Sequence, residues 1–112
     1  MDEELRRIIE DVKLALEAMG IRISKIVLFG SHAQGRADEY SDIDIAVISN
    51  SFKDMNLLER LEFIGTALAK AKVMDPVEVR AYTEEEFESK GKGTFVGDEI
   101  KAKGVEILLV QE

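Results

Sequence analysis

The chain has 112 residues, 46% of them hydrophobic, which suits one small domain over residues 1–112 and leaves no room for two. Lys and Arg total 15 against 23 Asp and Glu, a net charge of −8; this argues against a stand-alone nucleic-acid binder and against an anionic membrane surface, since both need basic surface. Cysteine is absent, which excludes disulfides and thiolate metal sites, and with no apolar run near membrane-span length and a polar MDEELRR start, the expectation is a soluble cytoplasmic protein.

No internal repeat or low-complexity linker interrupts the chain. Between Asp2 and Met19, Leu5, Ile8, Ile9, Val12, Leu16 and Met19 recur at three- and four-residue steps, predicting a helix with one buried face that stops at Gly20. Ile26 to Phe29 is a short apolar run of the kind a buried strand has, ending at Gly30-Ser31, with a short helical turn expected from His32 to about Gly35. Residues 35–41 are loop-like, and Asp42 to Ile48 reads as a second strand. After Ser49-Asn50-Ser51, the positions of Leu57, Leu61, Ile64, Leu68 and Ala71 predict an amphipathic helix from about Asp54 to Lys72 with those residues inward. Asp75-Pro76 is a turn signal, Val77 to Tyr82 a third strand, and Thr83 with Glu86 a capping box opening a short helix. Lys90-Gly91-Lys92-Gly93 ends that helix; a last helix is expected over about Phe95 to Lys103 and a final strand over Val105 to Val110. Helices alternating with strands predict an α/β (α+β) domain, a mixed sheet flanked by helices.

The chemistry concentrates in two short segments. Gly30, directly after a buried strand, lets a ligand approach the backbone, and Ser31 adds a hydroxyl; amides of a helix starting there would form an anion site. Taken alone, the pair is more simply a strand-to-helix turn with Ser31 as its cap. Asp42 and Asp44 are two apart on a strand, so their carboxylates share a face while Ile43, Ile45 and Val47 take the other. In isolation, such a pair is usually two solvated acids; together with a third carboxylate, it suits a hard cation such as Mg²⁺. Glu78, between Val77 and Val79, is the preferred third, projecting with Arg80 and Tyr82; Asp75 is the competitor, explained by its turn without any chemistry. Three carboxylates can hold two Mg²⁺ about 4 Å apart, a geometry suited to phosphoryl chemistry. The combination predicts nucleotidyl transfer: attack of an acceptor hydroxyl on an α-phosphate, with pyrophosphate leaving.

Gly30-Ser31, ten intervening residues and then Asp42-Ile43-Asp44 resemble the signature of the DNA polymerase β-type nucleotidyltransferase superfamily. The fuller string Gly-Ser-His-Ala-Gln-Gly…Ser-Asp-Ile-Asp and the short chain resemble its minimal nucleotidyltransferase (MNT) branch. The resemblance implies the polymerase-β-like fold, with Gly30 and Ser31 contacting the triphosphate of ATP or another NTP, and Asp42 and Asp44 holding the metals. Glu78 is the implied third carboxylate, although no motif anchors it. The sequence departs from the pattern at Gln34, where many relatives have a basic residue; Arg36, two residues on, is the expected nucleotide-binding substitute, and Arg80 another helper. His32 is expected at the pocket rim rather than as a base. Phe87, Phe95 and Val96 are expected in the core, and to form a partner surface only if they prove to be one exposed patch.

Larger relatives carry further domains for the acceptor, so a partner or self-association into a homo-oligomer is expected to enclose this site. The resemblance implies two readings. In one, a Mg²⁺-dependent enzyme transfers AMP from ATP to a protein or small-molecule hydroxyl. In the other, an antitoxin-type module neutralises a helical HEPN partner by contact, with catalysis secondary or lost.

Overall fold

The computed structural model describes residues 1–108. In chain order, it has α1 (Glu3–Ala18), β1 (Lys25–Phe29), β2 (Ile43–Ile48), a 3₁₀ turn (Asn50–Phe52), α2 (Leu57–Lys70), β3 (Val77–Tyr82), α3 (Glu84–Ser89), a π-helical segment (Val96–Lys101) and β4 (Val105–Ile107). The strands form one four-stranded sheet in the order β3-β2-β1-β4. β1 pairs antiparallel with both β2 and β4, while β2 and β3 run parallel, joined by the crossover through α2, so the sheet is mixed as expected.

α1 forms as its periodicity predicts. The Asp2 side chain accepts from the Glu4 amide at its start, and Leu5, Ile8, Ile9, Val12 and Leu16 are buried. Its end is set by Gly20, whose φ of +93° lets the chain turn back so that the Ile21 amide bonds the Leu16 carbonyl. On the sheet face that α1 and α2 cover lie Ile26 and Leu28 of β1, Ile43, Ile45 and Val47 of β2, Val79 and Ala81 of β3, and Ile107 of β4. The opposite face is covered in part only: Val27, Phe29, Ala46 and Ile48 pack with Phe87, Val96 and Ile100. Central strands buried on both faces explain the unbroken apolar runs in β1 and β2.

The short helical turn expected from His32 to about Gly35 forms, its Ala33 and Gln34 amides bonding the Gly30 carbonyl and the Gln34 and Arg36 amides the Ser31 carbonyl. Other expectations need correction. α2 starts at Leu57 because Asn56 and Glu59 form a capping box there, each side chain bonding the other's amide at 2.9 Å. Its buried face is Arg60, Ile64 and Ala67, whereas Leu57, Leu61 and Ala71 are exposed. The cause is Arg60: its guanidinium bonds both oxygens of Glu86 (2.6 and 2.9 Å) and the carbonyls of Met55 (3.0 Å) and Ala81 (3.2 Å), and this four-point anchor fixes the helix's rotation. Finally, the last helical segment is π-type and shorter than predicted, and β4 ends at Ile107; Leu109 and Val110 of the expected strand lie outside the described residues.

The capping box at Thr83 forms as the sequence predicts, Thr83 and Glu86 bonding each other's amides at 2.9 and 3.2 Å. The Arg60 guanidinium on Glu86 holds its carboxyl below the usual range, against the opposing effect of burial. Among the described residues, no helix is long and apolar enough to cross a membrane.

Candidate active site

Strand register arranges the site. Phe29 of β1 pairs with Asp44 of β2, and Asp44 with Glu78 of β3, so these three side chains form one row across the partly covered face. The next row is Val27, Ala46 and Arg80, and the third is Lys25, Ile48 and Tyr82. The rows are apolar toward α3 and carry carboxylates at the other end. Asp42 is exposed just before β2 and adds its charge beside Asp44.

Gly30 follows Phe29 with φ +74°, and a Cβ there would collide with Oδ2 of Asp44. The glycine therefore serves twice: it takes a left-handed turn, and it leaves the space that the Asp44 carboxylate fills. Ser31 sits half-buried at the same turn. His32 Nε2 lies 3.3 Å from the Ser41 carbonyl, bridging the loop between Ser31 and Asp42. The far end of that loop is closed by Asp38, whose carboxylate accepts from the Tyr40 amide (2.9 Å) and the Ser41 hydroxyl (3.1 Å). The Ile43 amide bonds the Pro76 carbonyl at 2.9 Å, tying the starts of β2 and β3 together.

Burial pushes the Asp44 carboxyl above the ordinary aspartate range. The facing Glu78, within hydrogen-bonding contact, and Asp42 push it the same way, while Arg80 opposes them. Arg80 is itself held on two sides: its guanidinium lies 3.5 Å from the Glu78 carboxylate and 4.6 Å from the centroid of the Phe95 ring. Phe95 in turn meets Phe29 edge-on, centroids 6.0 Å apart.

Of the sequence-predicted residues, the fold gathers Gly30, Ser31, Asp44 and Glu78, with Asp42 alongside. Arg36, the expected nucleotide-binding substitute, is exposed and donates to the Gln34 side chain at 3.0 Å. Asp75 lies 3.8 Å from Arg7 of α1, in keeping with a structural role. Phe87 and Val96 are buried as expected, but Phe95 is 47% exposed and walls the site. Phe29 and Phe95 escape a reading of the sequence as site residues, because only the β1–β2 register reveals that Phe29 stands beside Asp44.

Among the described residues, no three acidic or histidine side chains are close enough together to cage a metal ion by themselves. Mg²⁺ is commonly held by one or two carboxylates plus substrate phosphate oxygens and water. Asp44 and the carboxylates beside it could supply that part of such a ligand set.

Residues 5–106 match the profile of the nucleotidyltransferase domain. The chain belongs to that family. Two solved structures share the fold of this nucleotidyltransferase domain. A candidate nucleotidyltransferase from Sulfolobus solfataricus is 20% identical with a TM-score of 0.62, the match covering 91% of this chain and 77% of that one. A toxin–antitoxin structure with AMP-PNP is 22% identical with a TM-score of 0.54, over 91% of this chain and 73% of its own. BolA1 from Arabidopsis thaliana also resembles it, at 15% identity and a TM-score of 0.50 over 77% of this chain and 98% of its own, so backbone likeness alone does not identify the chemistry. No curated protein matches the chain closely enough to count as a relative.

Proposed function

We propose that this nucleotidyltransferase domain moves AMP from ATP to an acceptor hydroxyl. The observation that carries this reading is the meeting of Asp44 with Glu78 across the parallel register, directly against the Gly30-Ser31 turn. The acceptor oxygen bonds to the α-phosphorus, the bond from that phosphorus to the bridging oxygen breaks, and pyrophosphate leaves. Gly30 brings the backbone close to the triphosphate and Ser31 supplies a donor to it. Glu78, the more exposed of the facing pair, takes the acceptor proton. Asp44, with Asp42 or Glu78 beside it and with triphosphate oxygens and water completing the shell, would hold Mg²⁺, which when bound offsets the charge of the triphosphate and polarises the reacting phosphorus. The toxin–antitoxin neighbour with AMP-PNP supports an adenine nucleotide as the donor.

The same neighbour favours a second reading, an antitoxin-type module that neutralises a helical partner by contact. Calorimetric titration of ATP, with Mg²⁺ and with chelator, tests the first. Wild type should bind only with metal, and Asp42→Asn/Asp44→Asn should not bind. Metal-dependent binding that survives in the double variant would remove these carboxylates from the site. A folded wild type that ignores millimolar ATP but still captures a partner would favour the second reading.

A further inference from the structure

Beside the loop that joins Ser31 to Asp42, a groove of about 780 Å³ opens between the start of α1, the residues that lead into β2 and β3, and β4. Its volume falls in the range of about 300–1,000 Å³ that small-molecule sites occupy. Leu28, Ile43 and Ile107 in its lining belong to the α1 side of the sheet, whereas Asp44 and Glu78 stand on the other face. The groove is therefore separate from the carboxylate row.

Two chemistries line it. Leu5 and Ile8 of α1 join those three residues in an apolar floor, and Met1 and Val105, 56% and 49% exposed, add apolar walls. Around them stand the five carboxylates of Asp2, Glu4, Asp38, Glu39 and Asp75, and the lining includes no Lys or Arg. Arg7, outside the lining, offsets two of the five, at 3.5 Å from Glu4 and 3.8 Å from Asp75. Asp2 accepts from the Glu4 amide, and Asp38 from the Tyr40 amide and the Ser41 hydroxyl, neutral donors that leave both charges in place. Among the described residues, Glu39 is in no ion pair. The groove is thus negative around an apolar floor.

That combination selects its occupant. Among the described residues, no three acidic or histidine side chains are close enough to cage a metal ion, so the carboxylates are spread around the groove rather than converging on a point. A bare ion would also leave the apolar floor in water. An aliphatic amine suits both parts: its ammonium sits where charges of one sign concentrate the field, and its methylenes cover the floor.

We propose that this groove binds a small organic cation, a protonated amine on an aliphatic body. His32, Ala33 and Ser41 are in the lining, so the ligand rests against the loop that carries Ser31 and Asp42 at its ends. The proposal stands independently of the reaction.

Titration of the full chain with hexylamine, hexanol and hexanoate at neutral pH, followed by amide NMR shifts, tests it. The three probes share a chain and differ in the charge of the head. Hexylamine should shift Ala33, Ser41, Ile43 and Val105 saturably, hexanol should bind about 10-fold more weakly, and hexanoate should not bind. Methylamine should be weaker than hexylamine, since each methylene taken out of water is worth up to about a fourfold gain. Glu4→Gln/Glu39→Gln should weaken hexylamine about fivefold, with hexanol binding and circular dichroism unchanged. A folded wild type with no saturable shift from hexylamine overturns the proposal. Hexanol binding as tightly as hexylamine would make the groove merely apolar, and methylamine doing so would make it merely acidic; either overturns it. So does a double variant that binds hexylamine as wild type does.

Discussion

Below the sheet, Ile43, Ile45 and Val47 of β2 point into a core sealed by two long helices; above it, Ala46 and Ile48 of the same strand pack with residues of α3 and the π-helical segment, while Asp44 lies against Gly30 and Glu78. The difference is one of coverage. The lower face has α1 and α2 along its length, so every inward position is apolar. The upper face is covered at one end, where Phe87 and Ile100 sit over Ile48 and Ala46, and bare at the other, where Asp44 and Glu78 stand. A strand of six residues thus serves packing on one side and grades from packing to chemistry on the other. Removing a charge from the bare end should change activity and spare the fold; removing a methyl from the sealed side should do the reverse.

The largest expected effect is on the upper face. Asp44→Asn should lower the transfer rate by about 1,000-fold or more, the loss of several kcal/mol of transition-state stabilisation. In chelator at neutral pH, the same variant should melt no lower than wild type and slightly higher. The raised Asp44 pKa means that the folded state disfavours the charged carboxylate. That penalty is fully present above the folded-state pKa and disappears as pH falls below the ordinary aspartate range, so the variant's advantage should vanish in acid. A lower melting temperature for Asp44→Asn would break the contrast between the faces.

On the lower face, Ile45→Ala should cost about 2–5 kcal/mol in denaturant unfolding, because Ile45 is fully buried. Metal-dependent ATP binding by the folded fraction should persist. An unfolding midpoint unchanged from wild type would contradict the sealed-core account. Arg60→Met should cost about 2 kcal/mol, less than a fully buried pair because Glu86 remains partly in water. Since the Glu86 pKa is lowered, its contribution is present above the ordinary glutamate range and lost as pH falls through its depressed value. The gap between wild type and Arg60→Met should therefore narrow in acid, which chemical denaturation at several pH values would read. Thr83→Ala should be the mildest, about 1 kcal/mol, since it removes one side-chain cap; a loss several times larger would mean that α3 does more for the upper face than cover it.

What the sequence made legible was local. The α1 stripe, the Thr83 box and the strand at Val77–Tyr82 depend on residues within a turn or two of one another, and all formed as expected. The Gly30-Ser31…Asp42-Ile43-Asp44 spacing pointed to the correct family because it also lies within one short stretch. What stayed hidden depended on distant partners. Leu57 and Leu61 looked inward by periodicity, but Arg60 is drawn in by Glu86, which lies 26 residues further on, and the helix turns with it. The place of Phe29 beside Asp44, and of Phe95 over Arg80, follows from strand register and tertiary packing, to which no sequence spacing is a guide. Arg36 read as the substitute for a basic residue at Gln34, whereas in the fold its guanidinium donates to the Gln34 side chain.

Phe29, Gly30 and Ser31 are consecutive, and each contributes something different. Phe29 is a packed aromatic beside the carboxylates, Gly30 leaves a hole for Asp44, and Ser31 places a hydroxyl at the turn. Their order is locked to the two-residue repeat of β1. A single residue inserted between Lys25 and Ile26 would turn Val27 and Phe29 to the face that now receives Ile26 and Leu28 and would bring a side chain to the place of the hole. Core and site thus share one reading frame in space, and the motif cannot drift along the strand by small steps. It can be kept whole, or lost together with the packing on both faces of the sheet.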